Sequence, residues 1–210
     1  IQLWSATEVG YTPTFNVAYG GIMGENYWYQ ESPVYANTRL RQFVPNRELD
    51  ARARRPFTAP RGDWNHVEVA RSARDLMRAG VRVNAGAHGQ REGLGMHWEM
   101  WSMHQGGFTP YEALRAATLH GAHYLGLDED IGRIQEGYLA DLAIIKGDVL
   151  RDLRLSERVT WVVLGGQVYD AETMAGIAPQ VTSPPYLFFK DQGLQPDVPT
   201  RRQGECGCTP

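Results

Sequence analysis

Cysteine is almost absent from this sequence. Its 210 residues include two cysteines, Cys206 and Cys208, and both lie near the C-terminal end. A C-x-C pair can form a strained disulfide, supply half of a metal site, or do neither. We favour neither, because the residues on both sides have the composition of an unstructured tail.

A charge excess and a long apolar run are also missing. With 21 basic and 24 acidic residues, the sequence has no basic stripe that would indicate a nucleic-acid surface. No apolar run is long enough to predict a membrane span. The first residue is not methionine, and the first residues show no charged segment followed by an apolar run that would predict a signal peptide. Its first residues, IQLW, already resemble an amphipathic helix, so we expect a fragment, a processed product or one half of a split protein.

Helical and strand-like segments alternate along the first half of the chain. The predicted elements are a helix end over 1–9, a strand over 11–19, an amphipathic helix over 64–79, a strand over 81–85 and a helix after Gly95. This alternation predicts parallel β/α units. Two such units do not close a sheet. We therefore expect residues 1–125 to bury apolar surface against sequence outside this chain.

The segment from Gly20 to about Gly62 is rich in aromatic residues and looks irregular. Only one short helix is predicted in it, around 46–54. Loops this long in a compact domain are usually lids, binding loops or interfaces. We expect a lid or an interface, and the alternative is a solvated surface excursion.

His88 follows the apolar run that starts at Val81 and lies between Gly86 and Gly89. In α/β folds, ligands bind at the carboxyl ends of the strands. The position makes His88 a candidate functional residue. The alternative is a histidine whose hydrogen bonds are satisfied within a tight turn.

Thr109 begins another predicted helix. Pro110 suits the first helical position, and Glu112 completes a capping box. A second short helix follows and carries His120 and His123, three positions apart. Such a pair can ligate a metal, but we favour two polar residues on an alanine-rich helix.

The most specific motifs lie between residues 109 and 170. They are ALRAAT at 113–118, GA at 121–122, LGL at 125–127, IGRI at 131–134 with Gly137, and ADL at 140–142. Together they resemble the C-terminal signature of the amidohydrolase superfamily, and most of all its imidazolonepropionase-like and prolidase-like enzymes. The stretches GAHGQ at 86–90 and HWEMW at 97–101 resemble the members that are attached to a TolB-like β-propeller.

This resemblance implies an α/β fold: the C-terminal part of a distorted (β/α)8 barrel, like a TIM barrel, with part of a small β-sandwich beside it. On that plan, residues 1–125 belong to the barrel, with 11–19 as its seventh strand and 81–87 as its eighth. Residues 126–175 belong to the sandwich, and residues 176–210 form an extended, proline-rich tail.

Two strands are predicted for the sandwich portion, at 143–146 and 159–164, with a turn after the second. Asp141 comes just before the first of them. We expect this carboxylate to be a structural group in a turn and not a catalytic one.

The resemblance also implies a hydrolase in which metal-bound water attacks the C–N bond of an amide, a cyclic amide or a peptide. The family carries a His-x-His pair on its first strand, and this chain has none. The early ligands are therefore expected on sequence outside it. The family's eighth strand supplies an Asp, and His88 stands at that position. A neutral imidazole can ligate a divalent ion or act as a base, so His88 is the candidate catalytic residue and metal ligand.

Several other residues are candidates to contact the substrate or to support the site. They are Asn16, Tyr19, Gln90, His97 and Glu99. The implied cofactor is a divalent metal, with zinc expected.

The implied partners are the N-terminal part of the same catalytic domain, on the same or a separate chain, an N-terminal β-propeller, and further copies in a homo-oligomer. The substrate is expected to be a small molecule or a peptide, and the location periplasmic or extracellular. The alternative function is a barrel portion without catalytic activity that acts in assembly or binding.

Overall fold

A computed structural model shows how this chain folds. It describes residues 1–18, 24–53, 57–89 and 91–191. The chain divides into two compact units, Ile1–Pro33 with Pro56–Pro185 and Val34–Arg55 with Tyr186–Pro210. None of the helices in the described residues has both the length and the apolar composition needed to cross a membrane.

The described residues combine helices with strands, as predicted. The α-helices are α1 (Gln2–Ser5), α2 (Gly24–Glu31), α3 (Thr38–Phe43), α4 (Asn46–Ala53), α5 (His66–Arg78), α6 (Gly95–Gln105), α7 (Pro110–Ala117), α8 (Leu119–Tyr124) and α9 (Phe188–Asp191). Short 3-10 helices lie at Phe15–Val17, Val34–Ala36, Arg61–Asp63 and Leu153–Glu157. The strands β1 (Leu142–Ile145), β2 (Val159–Leu164), β3 (Gln167–Asp170) and β4 (Gly176–Ala178) form one antiparallel sheet in that order.

Helix α6 lies at the centre of the larger unit. Most of its residues are buried, and Trp98, Met100 and Trp101 point in different directions around the helix axis. A helix that is apolar on all sides is a buried helix. It packs against α5, α7 and the 3-10 helices at Phe15–Val17 and Leu153–Glu157. These contacts make α6 the element around which the unit is built.

Helix α5 confirms the amphipathic pattern predicted over 64–79. Ala70, Ala73 and Leu76 are buried along one side, and this side of small residues packs on α6. The helix ends before Gly80, which has a left-handed φ of 98°. Glycine adopts that conformation without steric cost, so it ends the helix at this point.

Helix α7 begins with the predicted capping box. Thr109 Oγ1 accepts a hydrogen bond from Glu112 N at 3.2 Å, and Glu112 Oε2 accepts one from Thr109 N at 2.7 Å. Arg78 Nε donates to the same carboxylate at 3.1 Å. The hydrogen bond from Arg78 lowers the pKa of Glu112. The carboxylate therefore joins the end of α5 to the start of α7.

The strand predicted over 11–19 is wrong for residues 12–18, and residue 19 lies outside the described residues. Tyr11 forms one parallel bridge with Val83, and the chain turns into the 3-10 helix Phe15–Val17. The β-branched and aromatic pattern is misleading here because Phe15 is buried against helices and not within a sheet. The strand predicted from Val81 is likewise reduced to this bridge.

The segment predicted to be irregular between residues 20 and 62 contains helices α2, α3 and α4. The helix expected near 46–54 is confirmed as α4. Helix α2 was missed because its aromatic residues are consecutive and do not follow a helical period, and α3 was missed because it is only six residues long. Tyr27, Trp28 and Tyr29 of α2 are all buried. The role of this segment as a lid or an interface stays a prediction.

The strands predicted near 143 and 159 are confirmed as β1 and β2. They pair antiparallel, with Ala143 opposite Val162. Asp141 Oδ1 accepts a hydrogen bond from Gly165 N at 2.7 Å, across the turn between β2 and β3. This contact agrees with the structural role expected for Asp141. The expectation that a second sheet layer completes a sandwich stays a prediction.

The extended tail predicted from residue 176 is wrong for its first residues. Gly176–Ala178 forms β4, which pairs with β3. Thr182 Oγ1 accepts a hydrogen bond from Gly176 N at 2.9 Å and helps to hold the strand in place. The high proline content obscured this strand, because Pro179 follows it directly and proline cannot donate to a ladder.

The smaller unit contains α3, α4 and α9. Asn37 caps α3, because its side chain accepts a hydrogen bond from Leu40 N at 3.0 Å. Each of these helices buries one large apolar side chain, which is Leu40 on α3, Leu49 on α4 and Phe189 on α9.

The close packing of α6 on α5 gives a stability prediction for Gly106. A Cβ atom at this position would lie 2.6 Å from Ala70 C and 2.8 Å from Arg71 N. Both are backbone atoms of α5, so the helices must separate to admit it. We expect Gly106→Ala to lower the free energy of unfolding by about 1–3 kcal/mol, measured by urea denaturation.

Gly62→Ala is the matched control, since a Cβ atom there meets nothing within 4 Å. An equal loss of stability in both variants would contradict the packing explanation.

Candidate functional site

Two chain segments lie side by side and lead to the candidate site. Tyr11 N donates to Arg82 O at 2.9 Å, and Asn84 N donates to Tyr11 O at 2.8 Å. These hydrogen bonds set the segments parallel, around the bridge between Tyr11 and Val83. Asn16 therefore follows one segment and His88 follows the other at the same end of the pair.

Gly86 allows the two segments to stay close after the bridge. A Cβ atom at Gly86 would lie 2.7 Å from Thr12 Cγ2 and 3.4 Å from Pro13 O. A side chain at this position would push the segments apart. The glycine therefore fixes the separation of the two segments just before His88.

Glu99 of helix α6 holds the end of the first segment. Its side chain is fully buried. Its Oε2 accepts a hydrogen bond from Phe15 N at 2.9 Å, and its Oε1 accepts one from Asn16 N at 2.7 Å. One carboxyl group thus satisfies two backbone donors that the 3-10 helix leaves without an internal acceptor.

Burial raises the pKa of Glu99 from 4.5 to about 8. The charged form loses its hydration inside the protein, and this effect outweighs the two backbone N–H groups, which favour the charged form. Glu99 is therefore a group that can hold a proton near neutral pH. Such shifts are common among functional residues, although structural groups show them as well.

The side chain of Asn16 makes a second contact with helix α6. Its Nδ2 donates to Gly95 O at 3.1 Å, one turn before Glu99. Its Oδ1 is buried and accepts no hydrogen bond from the described residues. A methyl group at Gly95 would lie 3.4 Å from Ala87 Cβ and 4.0 Å from Asn16 Nδ2. The structure thus brings Asn16 and Glu99 together beside the residue that precedes His88.

His88 occupies an exposed turn at the end of the second segment. Its φ is 55°, and that of Gly89 is 62°. Residues other than glycine seldom adopt this left-handed conformation, and Asn, Asp and His adopt it more often than the rest. His88 is therefore an exposed residue at the end of the second segment, one position after Ala87.

His97 lies on a different side of α6. Its Nδ1 is 3.0 Å from Ser156 Oγ, and Trp101 Nε1 donates to the same oxygen at 3.0 Å. Positions 97 and 99 face different directions on a helix. His97 is therefore placed against the 3-10 helix Leu153–Glu157, away from Glu99. The candidates Tyr19 and Gln90 lie outside the described residues, as do Cys206 and Cys208.

Arg91 is a buried residue that the sequence did not reveal. It is 2% exposed, and its Nε and Nη2 donate to Tyr29 Oη at 2.9 and 2.7 Å. The nearest carboxylate, that of Glu92, lies 3.6 Å from Arg91 Nη1 and is mostly exposed. An arginine among glycines in a loop looks solvent-exposed, and its burial depends on α2, which is distant in sequence.

The pair His120 and His123 does not form a metal site. His120 Nδ1 lies 2.9 Å from Val83 O, and His123 Nδ1 lies 2.9 Å from Asp128 Oδ2. Within residues 1–18, 24–53, 57–89 and 91–191, no three His, Cys, Asp or Glu side chains converge to hold an ion. The described residues therefore offer single ligands such as His88 and do not by themselves fit a metal ion.

Comparison with known proteins adds a family likeness to this geometry. The sequence profile described as "Amidohydrolase family" matches residues 63–169, slightly more than half of the chain. Adenine deaminase 3 from Rhizobium johnstonii is 30% identical over 118 residues, which cover 51% of this chain and 18% of that protein.

Solved structures with similarity include a Xaa-Pro dipeptidase with methionine bound in its active site. It is 28% identical with a TM-score of 0.46, and the match covers 50% of this chain and 26% of that one. A prolidase complexed with N-methylphosphonate-L-proline is 18% identical with a TM-score of 0.48, covering 80% of this chain and 36% of that one. The chain thus spans 18% to 36% of the length of these three proteins.

The raised pKa of Glu99 predicts a pH dependence of stability. Between about 4.5 and about 8, the folded chain binds more protons at this group than the unfolded chain does. The stability contributed by this group is therefore fully present below pH 4.5 and is lost as the pH rises through about 8. We expect the free energy of unfolding to fall by up to about 1.4 kcal/mol per pH unit across this window.

Glu99→Gln should remove this pH dependence and cost about 1–3 kcal/mol, because the amide presents an N–H to one of the two backbone donors. Urea denaturation at a series of pH values measures both effects. Glu129→Gln, an exposed glutamate, should keep the wild-type slope. A wild-type slope in Glu99→Gln would show that another group causes the pH dependence.

Proposed function

The chain belongs to the amidohydrolase family, and on that premise we propose that it forms part of a hydrolase that cleaves C–N bonds in amides, cyclic amides or peptides. The family match over residues 63–169 carries this proposal. The matched relative named as an adenine deaminase supports chemistry at a carbon–nitrogen bond. Because the chain spans a minor part of its relatives, the activity belongs to an assembly that includes further sequence.

In this proposal, residues 1–125 are the C-terminal portion of a distorted (β/α)8 barrel, and the sheet that begins at Leu142 is part of a small β-sandwich. The parallel hydrogen bonds between Tyr11 and the segment Arg82–Asn84 support the barrel, because neighbouring barrel strands are parallel. The partners are the N-terminal part of the same catalytic domain, a β-propeller of the TolB type and further copies of the protein. The proposed location is periplasmic or extracellular.

His88 is the proposed catalytic residue. It is exposed where two parallel segments end, which is the side on which α/β enzymes bind their substrates. A neutral imidazole there accepts a proton from the attacking water and returns it to the leaving nitrogen. The proton is thus taken from oxygen as the C–O bond forms and is given to nitrogen as the C–N bond breaks.

Asn16 and Glu99 are proposed to support this site. The Glu99 carboxyl group fixes the backbone of Asn16, and Asn16 Nδ2 donates to Gly95 O, which fixes the side chain as well. Tyr19, Gln90 and His97 remain proposed contributors from the sequence. His97 would act from the side of α6 that faces Ser156.

A divalent metal, with zinc expected, is the proposed cofactor, since amidohydrolases typically use one. In the assembled enzyme it would polarise the substrate carbonyl and activate water. His88 would supply one imidazole ligand, and the remaining ligands would come from sequence outside these 210 residues. A histidine that ligates through one nitrogen cannot act as a base through the same atom.

The alternative function is a barrel portion that serves assembly or binding without catalysis. Large apolar side chains at the surface of the larger unit favour it. Ile134, Leu139, Trp161 and Leu164 are between 47% and 90% exposed. A complete assembly that folds and binds metal but hydrolyses no amide or peptide would support this alternative.

His88 gives the decisive test of the hydrolase. In the complete assembly, His88→Ala should lower turnover by about two orders of magnitude or more, the usual scale for losing acid–base help. Folding should change little, because the side chain is exposed. Turnover is measured by release of the amine product, and metal content by elemental analysis of the same sample.

Metal content separates the two roles of His88. A loss of metal in His88→Ala assigns the ligand role, and unchanged metal with low turnover assigns the base. His88→Asp should retain part of the activity if the group acts as the family's Asp does. His104→Ala, which alters an exposed histidine at the end of α6, is the control. Wild-type turnover in His88→Ala would rule out either role.

A further inference from the structure

His66 is a fully buried histidine that the proposed hydrolytic site does not use. It is the first residue of helix α5, and none of its surface is exposed. The rings of Tyr27 and Trp64 pack around it, at centroid distances of 5.2 and 6.4 Å. An imidazole in such surroundings loses the hydration that stabilises its charged form.

The hydrogen bonds of His66 fit the neutral form of the ring. Its Nε2 lies 2.8 Å from Gln105 Oε1, at the end of helix α6. An amide oxygen only accepts, so Nε2 carries the hydrogen. Nδ1 is then an acceptor, and it is buried without a hydrogen-bond partner in the described part of the chain. A proton added at Nδ1 would therefore be a buried donor that lacks an acceptor there.

The start of helix α5 is also an unfavourable place for a positive charge. The first backbone N–H groups of a helix carry a partial positive charge, and His66 lies in the first turn of this 13-residue helix. Burial lowers the pKa of His66, and the hydrogen bond to Gln105 acts in the opposite direction with a smaller effect. The folded chain therefore keeps the ring neutral at a pH that charges an exposed histidine.

The elements around His66 carry few titratable groups, and none of them explains its pKa. These groups are Glu25 and Tyr27 on α2, Asp63 just before α5, Glu68 on α5 and His104 on α6. Glu68 pairs with Arg71, and His104 Nδ1 lies 2.9 Å from Phe108 O. Burial is the main cause of the shifted pKa of His66, and no charged neighbour is among its causes.

Helix α2 packs directly on His66. A Cβ atom at Gly24, the first residue of α2, would lie 3.0 Å from His66 Cβ and 3.1 Å from His66 Cγ. Tyr27, one turn later, contacts the imidazole ring. Because α2 covers the ring in this way, the ring reaches solvent on this side only when α2 moves away.

We propose that His66 is an acid-sensitive latch, whose protonation favours an open form in which α2 has moved away from α5. In the open form the imidazole is hydrated and takes up a proton at about pH 6.5, as an ordinary histidine does. The closed form takes up the proton only at a lower pH. The closed form is therefore favoured above about pH 6.5, and the open form gains population as the pH falls below that value.

Opening at His66 would reach the loop that follows His88. Helix α2 also carries Tyr29, whose Oη accepts two hydrogen bonds from Arg91. In the open form these hydrogen bonds are lost, and the loop loses its attachment to α2. Acid then acts on the segment predicted to be a lid or an interface. This consequence rests on the proposed function, whereas the latch itself does not.

Hydrogen–deuterium exchange of the full 210-residue chain tests the latch at about pH 7.5 and about pH 5, with rates corrected for the intrinsic effect of pH. If the closed form stays neutral, one group with an ordinary pKa of 6.5 raises the open population about thirtyfold at pH 5. We expect the protection of α2 amides to fall about threefold to thirtyfold, while α7 stays protected. Glu99 acts in the opposite direction, because its contribution to stability is larger at low pH.

Two variants assign the effect to His66. His66→Gln removes the titrating ring and keeps an N–H donor for Gln105, so it should abolish the pH dependence of α2 protection. His104→Gln removes an exposed histidine from the last turn of α6 and, as the matched control, should keep that dependence. The same pH dependence in His66→Gln as in the wild type, or an equal loss of protection in α2 and α7, would overturn the proposal.

The imidazole gives a second readout that needs no variant. In ¹H–¹⁵N NMR spectra of the histidine rings, His66 should be neutral at about pH 6, with its hydrogen on Nε2, whereas an ordinary histidine is then mostly charged. A charged His66 ring in a chain whose α2 stays protected, as an ion pair with Glu25 would produce, contradicts the latch. Neither readout depends on hydrolysis, so failure of the latch and failure of the proposed function are told apart.

Discussion

The larger unit depends on one buried carboxyl group. Glu99 accepts the backbone N–H groups of Phe15 and Asn16 from inside helix α6. Without that acceptor, two buried donors would lie in an apolar environment, and each would cost about 1–3 kcal/mol. The contact therefore determines where the N-terminal segment leaves its parallel neighbour and turns. It therefore sets the position of Asn16. Because Gly95 lies beside both Asn16 and Ala87, the contact also sets the position of the turn at His88.

Aromatic side chains pack helix α2 against helix α6. Trp28 packs edge-to-face on Trp101 at 5.4 Å, and Tyr29 packs on Trp98 at 5.3 Å. Trp28 Nε1 also donates to Ser102 Oγ at 3.0 Å. These contacts bury α2 on α6 and bring Tyr29 to the guanidinium of Arg91. A polar group thus sets the register of the N-terminal segment, and aromatic contacts pack α2 on α6.

Features that depend on neighbouring residues could be predicted from the sequence. The capping box of Thr109, the amphipathic side of α5 and the β1 and β2 strands all arise within a few residues. Features that depend on distant partners could not. Glu99 sits among residues that look like an ordinary helix, and its burial is determined by Phe15, more than eighty positions earlier. The strand expected at Tyr11 fails for the same reason, since helices and not strands cover Phe15.

The left-handed backbone at His88 limits which residues evolution can place there. A β-branched residue such as Val or Ile would strain a φ of 55°. Gly, Asn, Asp and His tolerate it. That short set includes Asp as well as the His of this chain. The turn can therefore exchange a carboxylate for an imidazole in a single step, changing the chemistry offered to solvent while the path of the backbone stays the same.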